Sequence, residues 1–61
     1  MPRYTCCLLG PKGELMVRYE FDAQDDEHAL ETADNFQRNH EMPHNSYELR
    51  EGDLLVAKVY V

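Results

Sequence analysis

The sequence predicts an α+β fold, a single ββαββ domain over residues 1–61 in which one helix packs on one face of a four-stranded, mostly antiparallel sheet. Three observations predict it. Helical periodicity occurs in one stretch, 25–40, clean strand alternation occurs in 14–22, and a short glycine-containing turn separates two strand-like segments in each half of the chain. A chain of this length buries only about 60% of its unfolded surface, so dimerisation is an expected source of stability.

The first predicted hairpin consists of strands Arg3–Leu9 and Glu14–Asp22, which are joined by the turn sequence GPKG. Because neighbouring side chains on a strand point to opposite faces, the alternation sorts these residues into two sets. The set predicted to meet the helix is Tyr4, Cys6, Leu8, Leu15, Val17, Tyr19 and Phe21. The set predicted to face away is Cys7, Leu9, Met16, Arg18, Glu20 and Asp22.

The predicted helix begins near Asp25, whose carboxylate is a good N-cap for the free N–H groups of the first turn. The acidic run that follows, Asp26 and Glu27, suits the positive end of the helix dipole better than it suits a calcium loop. Pro43 prevents much continuation beyond His40. The apolar stripe expected to cover the sheet is Ala29, Leu30, Ala33 and Phe36.

The second predicted hairpin pairs Tyr47–Arg50 with Leu54–Val61 across a tight turn in which Gly52 is free to take a positive φ. With Lys58 facing water, Leu55, Ala57, Val59 and Val61 are predicted to point inward. The strand order 2-1-3-4 makes every neighbouring pair antiparallel and is preferred. The alternative places the fourth strand inside the sheet, because it is apolar on both faces.

Composition excludes several classes of function. Six basic against twelve acidic residues give a net charge of −6, which argues against binding to nucleic acid or to an anionic membrane surface. No apolar run approaches the roughly 20 residues of a membrane-spanning helix, and no signal peptide is recognisable. A soluble, cytoplasmic protein is therefore expected. No catalytic residue and no cofactor are predicted, because a small sheet with one helix offers little room for a deep pocket.

The face of the sheet away from the helix is predicted to be mixed, with apolar residues on three strands, although a half-exposed sheet is usually polar on its outer face. The residues expected to form an interaction surface there are Leu9, Met16, Leu54, Val56 and Tyr60. Such a surface favours a non-enzymatic protein-interaction module that forms a homodimer or binds an unknown protein. The sequence does not decide whether the outer face or the edge of the fourth strand makes the dimer.

The alternative function is a small metal- or ligand-binding protein that uses His40, His44 and a cysteine such as Cys7. Two histidines four residues apart share a helical face, as zinc ligands do, but Pro43 interrupts the helix and a closed zinc site needs four ligands. Cys6 and Cys7 are adjacent and therefore unsuited to a structural disulfide with each other. They are expected to be small hydrophobic strand residues, with Cys7 the more reactive of the two.

Four segments carry a family resemblance: MPRY, LLGPKGE, FDAQDDEHALETA and YELREGDLLVAKV. Together they resemble a group of small uncharacterised bacterial proteins associated with alphaproteobacteria. The family pattern often has a carboxylate at the position of His28, which would complete a capping box with Asp25. The loop EMPHNS is also longer here than is usual in that group. The resemblance implies the fold and a cytosolic location, and it implies no activity, cofactor or partner.

Overall fold

The structure is a computed structural model that describes residues 2–39 and 44–60. Its elements are β1 (Arg3–Leu9), β2 (Leu15–Asp22), α1 (Asp26–Asn39), β3 (Ser46–Glu51) and β4 (Leu54–Tyr60). All neighbouring strands are antiparallel, and the sheet order is β2-β1-β3-β4. The predicted α+β fold and the preferred strand order are confirmed, and the alternative with the fourth strand inside the sheet is wrong.

The helix carries the chain across the sheet. Strands β2 and β3 run in the same direction on either side of β1, because each is antiparallel to β1. Helix α1 connects them and lies over the two central strands, β1 and β3. The edge strands β2 and β4 therefore lie beside the helix rather than beneath it.

Both hairpins turn at the predicted glycines. In the first turn, the Gly13 amide donates a hydrogen bond to the Gly10 carbonyl at 2.9 Å, and Gly13 has a φ of 78°. In the second turn, Gly52 occupies the first position of a two-residue loop and has a φ of 61°. A positive φ at that position is the requirement of a type II′ turn, which fits the twist of a hairpin.

A bulge interrupts the alternation of the first hairpin. Leu8 is paired with Val17, but Leu9 is paired with Leu15, so Met16 is an extra residue in β2. One extra residue reverses the faces of the side chains on one side of the bulge relative to strict alternation from the other side. Leu15 therefore lies with Leu9 on the outer face and is 58% exposed, and its prediction as an inward residue was wrong.

A second bulge does the same to the other hairpin. Arg50 is paired with Leu55, and Glu51 is paired with Leu54, so Val56 is the extra residue in β4. The two leucines exchange their predicted faces: Leu55 lies on the outer face and Leu54 on the helix side. Their predicted orientations were wrong because, as for Leu15, the extra residue of the bulge reverses the alternation of side chains. The predicted inward residue Val61 lies outside the described residues.

The core is the layer between the helix and the central strands. Its helical contribution comes from Ala29 and Ala33, whose small side chains let α1 lie close to the sheet. The other two residues of the predicted apolar stripe, Leu30 and Phe36, are half-buried and flank the alanines. The buried residues are Tyr4, Cys6, Leu8, Ala23, Ala29, Ala33, Tyr47 and Leu49.

The helix begins at a cap built by three residues. The Asp25 carboxylate accepts a hydrogen bond from the His28 backbone N–H at 2.8 Å, so the predicted N-cap is confirmed. The His28 imidazole Nδ1 in turn accepts from the Gln24 backbone N–H at 3.3 Å. The imidazole thus satisfies a backbone donor near the position where a capping box uses a carboxylate or amide.

Replacing Asp25 with Ala is expected to lower the free energy of unfolding by about 1 kcal/mol, because the first turn loses its cap. Urea denaturation measures the effect. The slope of unfolding free energy against urea concentration should be the same for the variant and the unaltered protein. Asp53→Ala is the matched control, because it removes one negative charge from the exposed turn between β3 and β4, where no helix begins. Equal destabilisation by the two changes would show that Asp25 contributes only its charge.

Tyr4 fixes the start of the helix to the sheet. Its ring is 1% exposed, and its hydroxyl donates a hydrogen bond to the Asp26 carboxylate at 2.7 Å. That hydrogen bond, followed by burial and by the nearby carboxylates of Asp26, Glu51 and Asp25, raises the pKa of Tyr4 to about 12. The phenol stays neutral in the folded protein and joins β1 to the first turn of α1.

Alkaline pH is expected to weaken this attachment. Since the folded-state pKa of about 12 exceeds the ordinary value of 10, the contribution of Tyr4 to stability is complete below pH 10 and is lost as the pH rises through 12. Tyr4→Phe should lower stability at neutral pH and should show a shallower alkaline decline than the unaltered protein. Denaturant titrations at a series of pH values test this. Parallel declines in the two proteins would assign the alkaline sensitivity to other groups.

Candidate interaction surfaces

A groove lies between α1 and β4, on the helix side of the sheet. Its volume is about 420 Å³. The groove exists because α1 lies mainly over β1 and β3 and does not extend fully over the edge strand β4. Its lining residues are Glu27, Leu30, Glu31, Asp34, Tyr47 and Val59.

On the opposite side of the helix, aromatic side chains fill the equivalent space. The rings of Phe36 and Tyr19 stack with their centroids 4.5 Å apart, and Tyr19 and Phe21 stack at 5.6 Å. Phe21 also stacks with Tyr4 at 6.1 Å, which continues the row into the core. This row closes the gap between α1 and β2.

Within the part of the chain that the structure describes, the β4 side has no such row. The helix-side residues of β4 opposite the core are Ala57, which pairs with Leu49, and Val59, which pairs with Tyr47. Neither is large enough to reach the helix as Tyr19 does on the β2 side. The floor of the groove is therefore apolar, formed by Leu30 of the helix with Tyr47 and Val59 of the sheet.

The helical wall of the groove is acidic. Glu27, Glu31 and Asp34 follow one another at spacings of four and three residues, so they form one stripe along α1. Asp34 forms an ion pair with Arg38 and accepts a hydrogen bond from Gln37 at 3.3 Å. Glu27 and Glu31 form no ion pair with any residue in 2–39 or 44–60. Two carboxylates of this stripe are therefore uncompensated.

Asp34 also influences the floor of the groove. Burial raises the pKa of the Tyr47 hydroxyl, and the negative charge of Asp34 raises it further. The Tyr47 hydroxyl is therefore neutral under ordinary conditions.

The outer face of the sheet is polar at its centre. Near β2, Arg3 lies 3.7 Å from Glu20 and 3.4 Å from Asp22, and Arg18 lies 3.0 Å from Glu20. Exposed ion pairs of this kind add little stability, about 0–1 kcal/mol each, but they keep the face hydrated.

A second set of ion pairs continues this pattern toward β4. The Glu48 carboxylate accepts a hydrogen bond from Arg50 at 3.3 Å and forms a longer ion pair with Lys58 at 3.9 Å. The two sets together extend from Arg3 and Asp22, at one end of the first hairpin, to Glu48 and Lys58 in the second hairpin. The outer face is therefore mixed, as the sequence predicted, because these ion pairs lie beside the exposed apolar side chains of Leu15, Leu55 and Tyr60.

The five residues predicted as an interaction surface do not form one patch. Leu9 is half-buried, and Met16 and Val56, the two bulge residues, are half-buried and pack against the core. Leu54 and Tyr60 are 65% and 75% exposed, but they lie at opposite ends of β4 and on opposite faces. Leu9 and Tyr60 lie on the outer face as predicted, whereas the predicted outer position of Leu54 was wrong because the bulge in β4 turns it to the helix side. That these residues bind a partner stays a prediction.

Two exposed leucines were missed as surface residues. Leu15 lies at the outer end of the row Leu15–Leu9–Ser46–Tyr60, and Leu55 lies on the outer face of β4. The groove was missed as well, because the sequence places Leu30 in the core stripe and gives no sign that β4 is uncovered. The spacing of Glu27, Glu31 and Asp34 was the sequence signal that could have revealed the acidic wall of the groove, because it places the three carboxylates in one stripe along the helix.

The structure does not bring the predicted metal ligands together. The His44 Nε2 lies 3.1 Å from Gln37 Oε1, on the helix side of the sheet, whereas Cys7 lies on the outer face. His40 lies outside the described residues. Within 2–39 and 44–60, no three histidine, cysteine or acidic side chains are grouped as metal ligands. A site that combines His44 with Cys7 is thus excluded by the sheet between them.

Both cysteines are free thiols. Burial raises the pKa of Cys6 to about 12, with a further contribution from Cys7. Burial also raises the pKa of Cys7, although the guanidinium of Arg18 opposes the shift. Neither thiol is activated as a nucleophile, because both pKa values are raised rather than lowered.

Iodoacetamide is expected to alkylate Cys7 slowly in the folded protein and Cys6 only on unfolding, since Cys6 is fully buried and Cys7 is half-buried. Peptide mapping by mass spectrometry measures the two rates. In the single-thiol variant Cys7→Ser, alkylation of Cys6 should follow the unfolding curve. Rapid alkylation of Cys6 under native conditions would contradict its placement in the core.

Comparison with known proteins does not assign this chain to a family. No family model, curated protein or solved structure matches it. The resemblance to small bacterial proteins remains a prediction. Among the described residues, no helix is both long enough and apolar enough to cross a membrane.

Proposed function

We propose that this protein is a non-enzymatic, cytosolic interaction module that forms a homodimer through the edge of β4. The observation that carries the proposal is the character of this edge strand. Of its seven residues, LLVAKVY, only Lys58 is charged, and three large apolar side chains, Leu54, Leu55 and Tyr60, are exposed. An edge strand also presents unpaired backbone N–H and C=O groups, which readily accept another strand.

The other edge of the sheet supports this choice by contrast. Strand β2 carries Arg18, Glu20 and Asp22, all of which take part in ion pairs on the outer face. Charged side chains on an edge strand discourage pairing with another chain. Strand β4 lacks this protection along most of its length.

The bulge limits which part of β4 can pair regularly. Its extra residue is Val56, and the stretch from Ala57 to Tyr60 is regularly registered with β3. Antiparallel self-pairing centred on Val59 places Lys58 opposite Tyr60 of the partner subunit. In the monomer, the Lys58 ammonium lies 5.4 Å from the centroid of the Tyr60 ring of the same chain. In the dimer it can contact the Tyr60 ring of the partner subunit in the same way. This register also avoids placing two lysines opposite each other.

The Cys6 and Cys7 thiols support the non-enzymatic part of the proposal. Their raised pKa values keep them protonated, so neither is a nucleophile at neutral pH. The outer face is the less favourable dimer surface, because its central ion pairs would have to be dehydrated on stacking.

Tyr60→Lys is expected to dissociate the dimer without unfolding the monomer, because the side chain is 75% exposed and the change adds a second charge to the β4 edge. Analytical ultracentrifugation measures association, and thermal unfolding checks the fold. Leu15→Lys is the matched control on the opposite edge, since Leu15 is 58% exposed and shares the outer-face row with Tyr60.

The pair of variants distinguishes the two dimer surfaces. Loss of association in Tyr60→Lys alone supports pairing through β4. Loss in both variants would assign the dimer to the apolar row of the outer face and overturn the β4 proposal. A monomeric unaltered protein at about 100 μM, where association would be weaker than about −5.5 kcal/mol, would overturn the homodimer itself.

A further inference from the structure

We propose that the groove between α1 and β4 binds a basic segment of a partner protein. In this arrangement an apolar side chain of the segment rests on Leu30, Tyr47 and Val59, and flanking lysines or arginines pair with Glu27 and Glu31. The inference goes beyond dimer formation and does not depend on it, because the groove lies on the helix side within one chain.

The shape of the groove sets the size of the occupant. A volume of about 420 Å³ is within the usual range of ligand clefts, about 300–1,000 Å³. Space of this size takes one or two side chains of a partner segment. The floor formed by Leu30, Tyr47 and Val59 requires at least one of them to be apolar.

The distribution of charge determines the chemistry of the occupant. Four cations, Arg3, Arg18, Arg50 and Lys58, lie on the outer face of the sheet and are held there in ion pairs. The acidic groups of the first helical turns lie on the other side, and the one helical cation, Arg38, is paired with Asp34. The groove is therefore an acidic surface on a chain of net charge −6.

The two carboxylates of the wall that have no ion-pair partner among the described residues repel each other in the isolated protein. Glu27 and Glu31 are separated by one helical turn, and like charges at this spacing repel each other. A cationic segment removes this repulsion and gains attraction to both groups. The apolar floor distinguishes such a segment from a simple polycation, because only the segment can also bury an apolar side chain there.

The test is an NMR titration with three defined probes: the acetylated, amidated tripeptides Lys-Phe-Lys and Gln-Phe-Gln, and spermidine. Backbone amide shifts identify the contacted residues. The basic tripeptide is expected to shift amides of α1 from Glu27 to Asp34 together with those of Tyr47 and Val59, and to weaken at high salt. The neutral tripeptide and spermidine are each expected to bind more weakly.

Glu27→Gln/Glu31→Gln should weaken the basic tripeptide about three- to tenfold, as expected for two exposed ion pairs. Both side chains are exposed, so the variant should fold normally. The matched control Glu20→Gln/Asp22→Asn removes two charges from the outer face and should leave binding nearly unchanged. Equal weakening by the two double variants would show that only net charge matters, and would overturn the groove as the site.

Three other results would overturn the proposal. These are the absence of shifts around the groove at millimolar peptide, equal binding of the neutral tripeptide, and equal binding of spermidine, which would indicate a site for any polycation. Shifts confined to the β4 edge would likewise place the peptide elsewhere. The titration is repeated on the Tyr60→Lys variant, so that binding by a monomer separates failure of the dimer from failure of the groove.

Discussion

The structure depends on a mismatch of width between one helix and four strands. An α-helix with its side chains is about 10–12 Å across, whereas the outer strands of a four-stranded sheet are separated by about 14 Å between axes. Ala29 and Ala33 hold α1 close to the two central strands, so the helix cannot also cover both edges. Whether each edge is closed then depends on the side chains there. Tyr19 and Phe36 close the β2 side, and the smaller residues of β4 leave the groove.

The same geometry separates the charges of the molecule. On the outer face, neighbours along one strand and across two strands bring opposite charges together: Arg18 pairs with Glu20 along β2, and Glu48 pairs with Lys58 between β3 and β4. On the helix, the dipole favours acidic groups in the first turn, where Asp26 and Glu27 lie, and no cation within residues 2–39 and 44–60 forms an ion pair with them. Glu27, which suits the helix start, therefore also forms part of the wall of the groove. One sequence feature accordingly contributes both to helix formation and to the surface available to a partner.

The sequence predicted the parts of the fold that depend on local patterns. The helix, its Asp25 cap and both glycine turns follow from periodicity and from residue types with specific backbone preferences. The bulges at Met16 and Val56 do not, because an extra residue in one strand is defined only by its pairing with another. Those two residues reversed the predicted faces of three leucines. The groove was equally hidden, since it depends on where the helix lies over the sheet.

Both proposals meet at β4. Antiparallel pairing of two identical edge strands requires a two-fold axis perpendicular to the sheet, so the two helices would lie on the same side of one continuous sheet. Their grooves would then face the shared β4 seam, with the acidic stripes Glu27–Glu31 on either side of it. A partner with two basic segments could engage both grooves, and the second contact would form at high effective concentration. Dimer formation through the β4 edge would thereby combine two weak binding sites into one site of higher affinity. The exposed edge of β4 and the groove beside it would then both contribute to binding the same partner.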